Sequence, residues 1–151
     1  MSGIKIIAKN RKASFEYFLL DKFEAGIELQ GSEIKSIRAG QVSIGEAFIQ
    51  IDNLEAWLIN SHVAKYDAAS IFNHDPKRKR KLLLHKKEIN QIWNAVRQKG
   101  LTVVPTILYL SNGKAKIEIA LAKGKKMYDK RDSIAKRDQE REISRSRKIT
   151  D

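Results

Sequence analysis

Apolar residues recur along this 151-residue chain with two different periods, and the places where the period changes mark out its elements. In LTVVPTILYLSNGKAKIEIALA, residues 101–122, two apolar runs flank Asn112-Gly113. An Asn-Gly pair favours a two-residue turn because both central positions need positive φ, so a hairpin is predicted. After the turn Ala115, Ile117, Ile119 and Leu121 alternate with Lys114, Lys116 and Glu118, one face for a core and one for water. EAFIQIDNLEAWLIN, residues 46–60, reads the same way: Ala47, Ile49 and Ile51 share a face, the chain turns near Asp52-Asn53, and Leu54, Ala56 and Leu58 resume the alternation. Between the hairpins the period lengthens. In HKKEINQIWNAVRQKG, Ile89, Ile92, Trp93 and Val96 follow the i, i+3, i+4, i+7 spacing of an amphipathic helix stopped by Gly100, with His85 at the N-cap three residues before Glu88. GSEIKSIRAG predicts a short helix, with Ser32 as N-cap, Ile34 and Ile37 one turn apart, and Gly40 just past the end. FEYFLLDKFEAGIEL, residues 15–29, predicts one strand bent or bulged at Gly26. About six strands, two or three helices and hairpin connections together predict a mainly β fold, an antiparallel barrel of the oligonucleotide-binding type.

The pattern stops at residue 123. From Gly124 to Asp151 ten residues are Lys or Arg and six are Asp or Glu, with Met127, Tyr128, Ile134, Ile143 and Ile149 the only sizeable apolar side chains. So little buriable surface does not offset the roughly 1–2 kcal/mol per residue that backbone ordering costs. The expected organisation is a β-barrel domain over 1–123 and a basic tail over 124–151 that is disordered until a partner orders it.

Charge says what kind of partner. Thirty Lys and Arg against 18 Asp and Glu leave +12, with a pI near 9.9, a field that attracts nucleic acid first and anionic membranes second. No run approaches the ~20 apolar residues of a spanning helix, and MSGIKIIAKNRK has no signal-peptide apolar stretch. With no cysteine there are no disulfides, thiolate-bound zinc, thiol nucleophile or prenyl anchor. A cytoplasmic, non-membrane protein is expected.

The sharpest local feature is NHDPKRKRKLLLHKK, where Lys77 to Lys81 are five consecutive cations. Such a run is best tolerated where counterions or phosphates neutralise it, the alternatives being a solvated loop or a nuclear-type targeting patch. A second cluster, Lys9 to Ala13, adjoins Phe15, Tyr17 and Phe18, of which core packing claims most and base stacking one at most. Glu24 can accept hydrogen bonds from base amino or ribose hydroxyl groups, or be a plain surface charge. No catalytic constellation, metal site or cofactor site emerges. His74-Asp75 is the dipeptide of metal phosphohydrolases but lies in a predicted loop without further ligands, and Glu46 and Glu55 read as solvated rim positions. A metal-dependent phosphoesterase and a general RNA chaperone stand as the two rival readings.

Several blocks in order, FEAGIELQGSEIKSIRAG, HDPKRKRKLLLHKKEI, LTVVPTILYL, KAKIEIALAKGKK and YDKR..IAKRD..RE, closely resemble the bacterial SsrA-binding protein family, also called small protein B, over about Lys9 to Glu142. The resemblance implies an oligonucleotide-binding barrel and a non-enzymatic role in trans-translation. Members hold the tRNA-like domain of transfer-messenger RNA and help deliver it, with elongation factor Tu, to stalled ribosomes, where their tail enters the vacant decoding centre and mRNA channel. Carried over by position, the resemblance implies contact with the tRNA-like domain at Glu24, Leu83 and His85. A broader basic and polar set corresponds to Asn10, Arg11, Lys12, Lys35, Arg38, Lys79 and Lys81. The residues themselves leave a structural alternative open for two of these, Leu83 as core and His85 as helix cap. The tail block matches at Gly124, Lys125, Lys126, Asp129, Lys130 and Arg131, with Tyr128 where members often carry His or another ring, and ISRSRKITD after it departs from the family pattern. A monomer without cofactor is expected, with a tail that becomes helical on the ribosome.

Overall fold

The computed structural model describes residues 4–66 and 73–125. Among them are nine strands and three helices: β1 (Ile4–Lys9), α1 (Arg11–Glu16), β2 (Tyr17–Ile27), α2 (Gly31–Arg38), β3 (Val42–Ser43), β4 (Phe48–Asp52), β5 (Glu55–Ile59), β6 (His62–Val63), β7 (Arg80–Leu83), α3 (Lys86–Lys99), β8 (Thr102–Ser111) and β9 (Lys114–Gly124). Seven strands form one antiparallel sheet in the order β1-β8-β9-β2-β7-β5-β4, and β3 pairs with β6. Beyond this ladder β4 comes back against β8, so the sheet rolls into the expected barrel. The extra strands beyond six are short or peripheral: β3 and β6 have two residues each, and β1 is an outer strand whose Ile4 and Ile6 stay exposed.

Both hairpins form. Asn112 and Gly113 take φ of 52° and 81° between the Ser111–Lys114 closing pair. The first hairpin turns one residue later than predicted, at Asn53 and Leu54 with φ of 52° and 60°, so Leu54 is an exposed turn residue and not part of the inward row. Ala47, Ile49, Ala56 and Leu58 do enter the core, with Ile37, Ile44, Leu82, Ile92, Val103, Leu108, Ile117, Ile119 and Leu121.

Two local predictions are corrected. Residues 15–29 are not one strand, because Asn10 starts a helix before them: its Oδ1 accepts from the Ala13 N–H at 3.2 Å and its Nδ2 donates to the Pro105 carbonyl at 2.8 Å. Pro105 sits at a bulge in β8, where its missing N–H does no harm. Ser32 is likewise not the N-cap of α2. Gln30 is, in extended conformation, with its backbone N–H donating to Glu33 at 2.7 Å. The His85 prediction holds: its N–H donates to Glu88 at 3.0 Å, and α3 ends at left-handed Gly100.

Candidate nucleic-acid interface

A β-strand sends alternate side chains to opposite faces, and this rule separates Arg80 from Lys81, the two cations of the basic run that lie in β7. Arg80 and Leu82 point inward, almost fully buried, while Lys81 and Leu83 point outward. Arg80 and, from the approach to β7, the partly exposed Arg78 both meet Glu33, whose side chain is 0% exposed. Arg78 grips it in bidentate fashion, Nε to Oε2 at 3.0 Å and Nη2 to Oε1 at 2.7 Å, and Arg80 adds Nε to Oε2 at 2.8 Å. The other Arg80 donors go to Ser61 Oγ and to the carbonyls of Arg78 and Pro76, at 2.8–3.2 Å. Burial alone would raise the Glu33 pKa, but hydrogen bonds from Arg78 and the Gln30 N–H, with the charges of Arg80 and Arg78, hold it below the usual carboxylate range. Two of the five cations, Arg78 and Arg80, are thus neutralised by an internal counter-ion.

The outward cations build a face with their neighbours. Lys79 Nζ stands 4.6 Å from the Trp57 ring centroid, and Lys81, opposite Trp57 in the ladder, reaches Glu55 at 2.9 Å. Leu83, 49% exposed, lies opposite Gly26 on β2, and Lys116 faces Gly26 from β9. The core reading of Leu83 thus fails, because its side chain is on the wet side of β7. Beside it an open groove of about 520 Å³ runs over Gly26, Ile27 and Leu83, walled by Ile34 of α2 and by Lys114 to Lys116. Gly26 keeps this floor low, since a Cβ there would lie 3.4 Å from the Leu83 Cβ.

Glu24 projects from the same face, two residues along β2. Tyr109 Oη donates to its Oε2 and Lys116 Nζ lies 3.6 Å from its Oε1. Burial, then the Glu24 carboxylate, pushes the Tyr109 phenol far above its ordinary pKa, so it remains a donor. Glu24 is thereby oriented yet more than half exposed, with lone pairs free for an incoming donor. Glu118, directly across the ladder, is held by Thr106 Oγ1 at 2.5 Å. Tyr109, Lys116 and Trp57 were not singled out from the sequence. Their signal is cross-strand register, which no local window contains.

The remaining candidates divide by place. His85 presents an exposed ring two residues beyond Leu83. Arg38 reaches over the groove end to the Gly113 carbonyl at 3.4 Å, and Lys35 lies 5.8 Å from the Tyr66 ring. Asn10, Arg11 and Lys12 sit elsewhere, at the start of α1, ahead of β2, whose stretch from Tyr17 to Glu24 spans roughly 20 Å at about 3.3 Å per residue. Asn10 is buried with both side-chain groups engaged, so it positions α1 and is not itself available to a ligand. Lys12 pairs with Glu46, whose carboxyl it holds below the usual range, and Arg11 is exposed. Gly124 is the last residue of β9 and Lys125 follows it, whereas Lys126, Tyr128, Asp129, Lys130 and Arg131 lie outside the described residues. His74 is not a ligand in waiting. It is buried, with Nε2 donating to the Val63 carbonyl and Nδ1 accepting from Ser32 Oγ, both at 2.8 Å. Among the described residues no group of three or more His, Cys, Asp or Glu could hold a metal ion, and no helix is long and apolar enough to cross a membrane.

The face so assembled combines cations, a half-buried indole, an exposed leucine over a groove and three carboxylates, of which Glu24 is the most exposed. Comparison with known proteins places it in context. The family model described as SmpB protein matches residues 7–149. The SsrA-binding protein of Desulforudis audaxviator is 54% identical over 94% of this chain and 93% of its own length. That of Persephonella marina is 53% identical over 97% and 96%. A solved chain described as "tmRNA-SmpB: a journey to the center of the bacterial ribosome" superposes with a TM-score of 0.68 at 44% identity, over 85% of this chain and 88% of that one.

Proposed function

The chain belongs to the SmpB protein family, and from that premise we propose that it binds the tRNA-like domain of transfer-messenger RNA and delivers it to stalled ribosomes for trans-translation. The observation that carries this reading is Glu24, held by Tyr109 and Lys116 beside exposed Leu83 and the outward Lys79 and Lys81. A purely phosphate-binding surface gains nothing from a carboxylate at its centre. A surface that meets a folded RNA does, because unpaired loop bases offer amino groups and riboses offer 2′-hydroxyls, both donors. Leu83 supplies apolar contact for a loop base, and the lysines around it meet the backbone. The role is recognition and delivery, not catalysis, carried out as a monomer in the cytoplasm together with elongation factor Tu.

The basic segment from residue 124 is the ribosome-facing part of this reading. Its excess of Lys and Arg suits a channel lined with RNA phosphates, where Tyr128 can stack on a base while Lys130 and Arg131 pair with phosphates. Because Gly124 completes β9 and Lys125 packs on Phe18, the informative truncation ends after Lys125. That variant is expected to bind the tRNA-like RNA within a few-fold of the full chain and to lose peptide transfer on stalled ribosomes. Normal rescue by the truncated chain, or loss of its RNA affinity, would contradict the assignment of the tail.

A further inference from the structure

The barrel closes where β4, the last strand in the sheet order, comes back against β8 with no ladder between them. Along this seam an open groove of about 410 Å³ runs between β4 and α3, walled by Phe48 to Ile51, by Trp93 and Val96, and by residues 101–103. No wall residue is charged, although 32% of the chain is Asp, Glu, Lys or Arg. Phe48, 40% exposed, and Thr102 also line an adjoining cleft of about 190 Å³, whose other side carries Lys12, Glu16, Tyr17 and Glu46. Tyr17 pairs with Gly124, the last residue of β9, and Lys125 after it donates to the Ser14 carbonyl at 3.2 Å. The chain therefore leaves the barrel beside this cleft, and the first sizeable apolar side chains beyond it are Met127 and Tyr128.

We propose that this groove is the docking seat of the chain's own residues 126–128 in the free protein: Lys126 crosses the cleft beside Glu16 and Glu46, and Met127 and Tyr128 cover Phe48 and Trp93. The order of residues matches the order of surfaces, a cation over carboxylates and then two apolar side chains over an uncharged groove. Reach is sufficient, since three extended residues beyond Lys125 span about 10 Å before the Tyr128 ring adds its own length. Nucleic acid is a poor occupant, because no cation lines the groove to meet a phosphate. A second copy would bring its net +12 against the +12 already present. A tethered segment meets neither obstacle, and its attachment beside the cleft holds it there at high effective concentration. Docked in this way, Tyr128 is withheld from the base stacking proposed for it and the segment has to leave the groove before it serves. That consequence rests on the proposed function, whereas the docking itself does not.

The test uses the full-length chain carrying Trp57→Phe, which leaves Trp93 as its one tryptophan. Truncation after Lys125 is expected to move Trp93 emission to longer wavelength and to raise its quenching by acrylamide about twofold, as the indole face becomes wet. Met127→Asp with Tyr128→Asp in the full-length chain should reproduce both changes, because a carboxylate does not enter an apolar groove unpaired. Met127→Leu with Tyr128→Phe should produce neither, and Ile134→Asp, beyond the docked residues, should be silent. Equal quenching of Trp93 in the full and truncated chains overturns the proposal, by showing a groove left open for another protein. So does a truncation effect that the paired Asp substitutions fail to reproduce, or an Ile134→Asp effect as large as theirs. Quenching that varies with protein concentration in the full chain also overturns it, by showing that a second copy fills the groove.

Discussion

Glu24 is the residue whose role is most easily mistaken, because a carboxylate beside Lys116 on an exposed strand looks like one half of a surface ion pair. Such pairs add at most about 1 kcal/mol to stability. The Tyr109 hydroxyl changes the reading, since it fixes one carboxylate oxygen and leaves the group facing outward. Leu83 carries the same logic in apolar form, an exposed side chain standing over Gly26. Glu24→Ala and Leu83→Ala are each expected to weaken binding of a tRNA-like RNA by about 1–3 kcal/mol, the worth of a single base contact. Their thermal melting should stay close to wild type. Earlier melting with normal binding, followed by calorimetry and titration on the same samples, would assign both residues to the fold alone. At this scale the sequence was only partly legible. Glu24 and Leu83 were reached through family resemblance, and nothing local distinguished Leu83 from the buried Leu82 beside it. Leu54 was placed in a strand because an apolar residue in alternation is ordinarily inward, yet it occupies a positive φ of 60° in the turn.

Among the elements, β7 shows how sequence can mislead and still be correct. The residues leading into and opening it are so basic that they read as one phosphate-binding loop, whereas they serve opposite purposes: Arg80 in the strand and Arg78 in its approach bind the buried Glu33, and Lys79 and Lys81 face outward. Glu33 is thus the internal anchor that holds α2 to the approach of β7 and sets which cations face outward. The helix with the clearest apolar period, α3, and the Asn112-Gly113 hairpin were fully legible, because period and turn chemistry are local. The six-residue α1 was not, because its cap depends on Asn10 bonding to Pro105, ninety-five positions away. Glu33→Ala is expected to cost about 3–5 kcal/mol, leaving the buried Arg80 without its counter-charge. The pH dependence has a defined sign. The folded Glu33 pKa lies below its unfolded value, so its stabilisation is complete above the ordinary carboxylate pKa of about 4.3 and is lost as pH falls through the lower folded value. Acid unfolding of wild type below about pH 4 should therefore steepen relative to Glu33→Gln, which lacks this titration; parallel acid-melting curves for the two proteins would contradict the assignment.

For the whole molecule the relevant quantities are charge and shape. A net +12 draws any RNA, and with Arg78 and Arg80 paired internally the proposed reading gives the phosphates to Lys77, Lys79 and Lys81, to Arg38 near the groove, and to Arg11 at α1. With about five phosphates neutralised, log K should fall against log salt with a slope of roughly −3.5 to −4.5, and a nearly flat dependence would remove the electrostatic part of the account. Electrostatics alone cannot select one RNA, since every RNA carries phosphates. On the proposed reading selection comes from Glu24, Leu83 and the groove beside them, which offer a folded loop a carboxylate acceptor and apolar surface. The most direct measurement is a competition titration: full-length protein on the labelled tRNA-like domain of transfer-messenger RNA, challenged with unlabelled duplex RNA of matched length at physiological salt. Half-displacement should need about a thousandfold excess of duplex or more, the margin of a specific over a non-specific nucleic-acid complex. Displacement at near-equal concentrations would show a general RNA-binding surface and contradict the proposed reading.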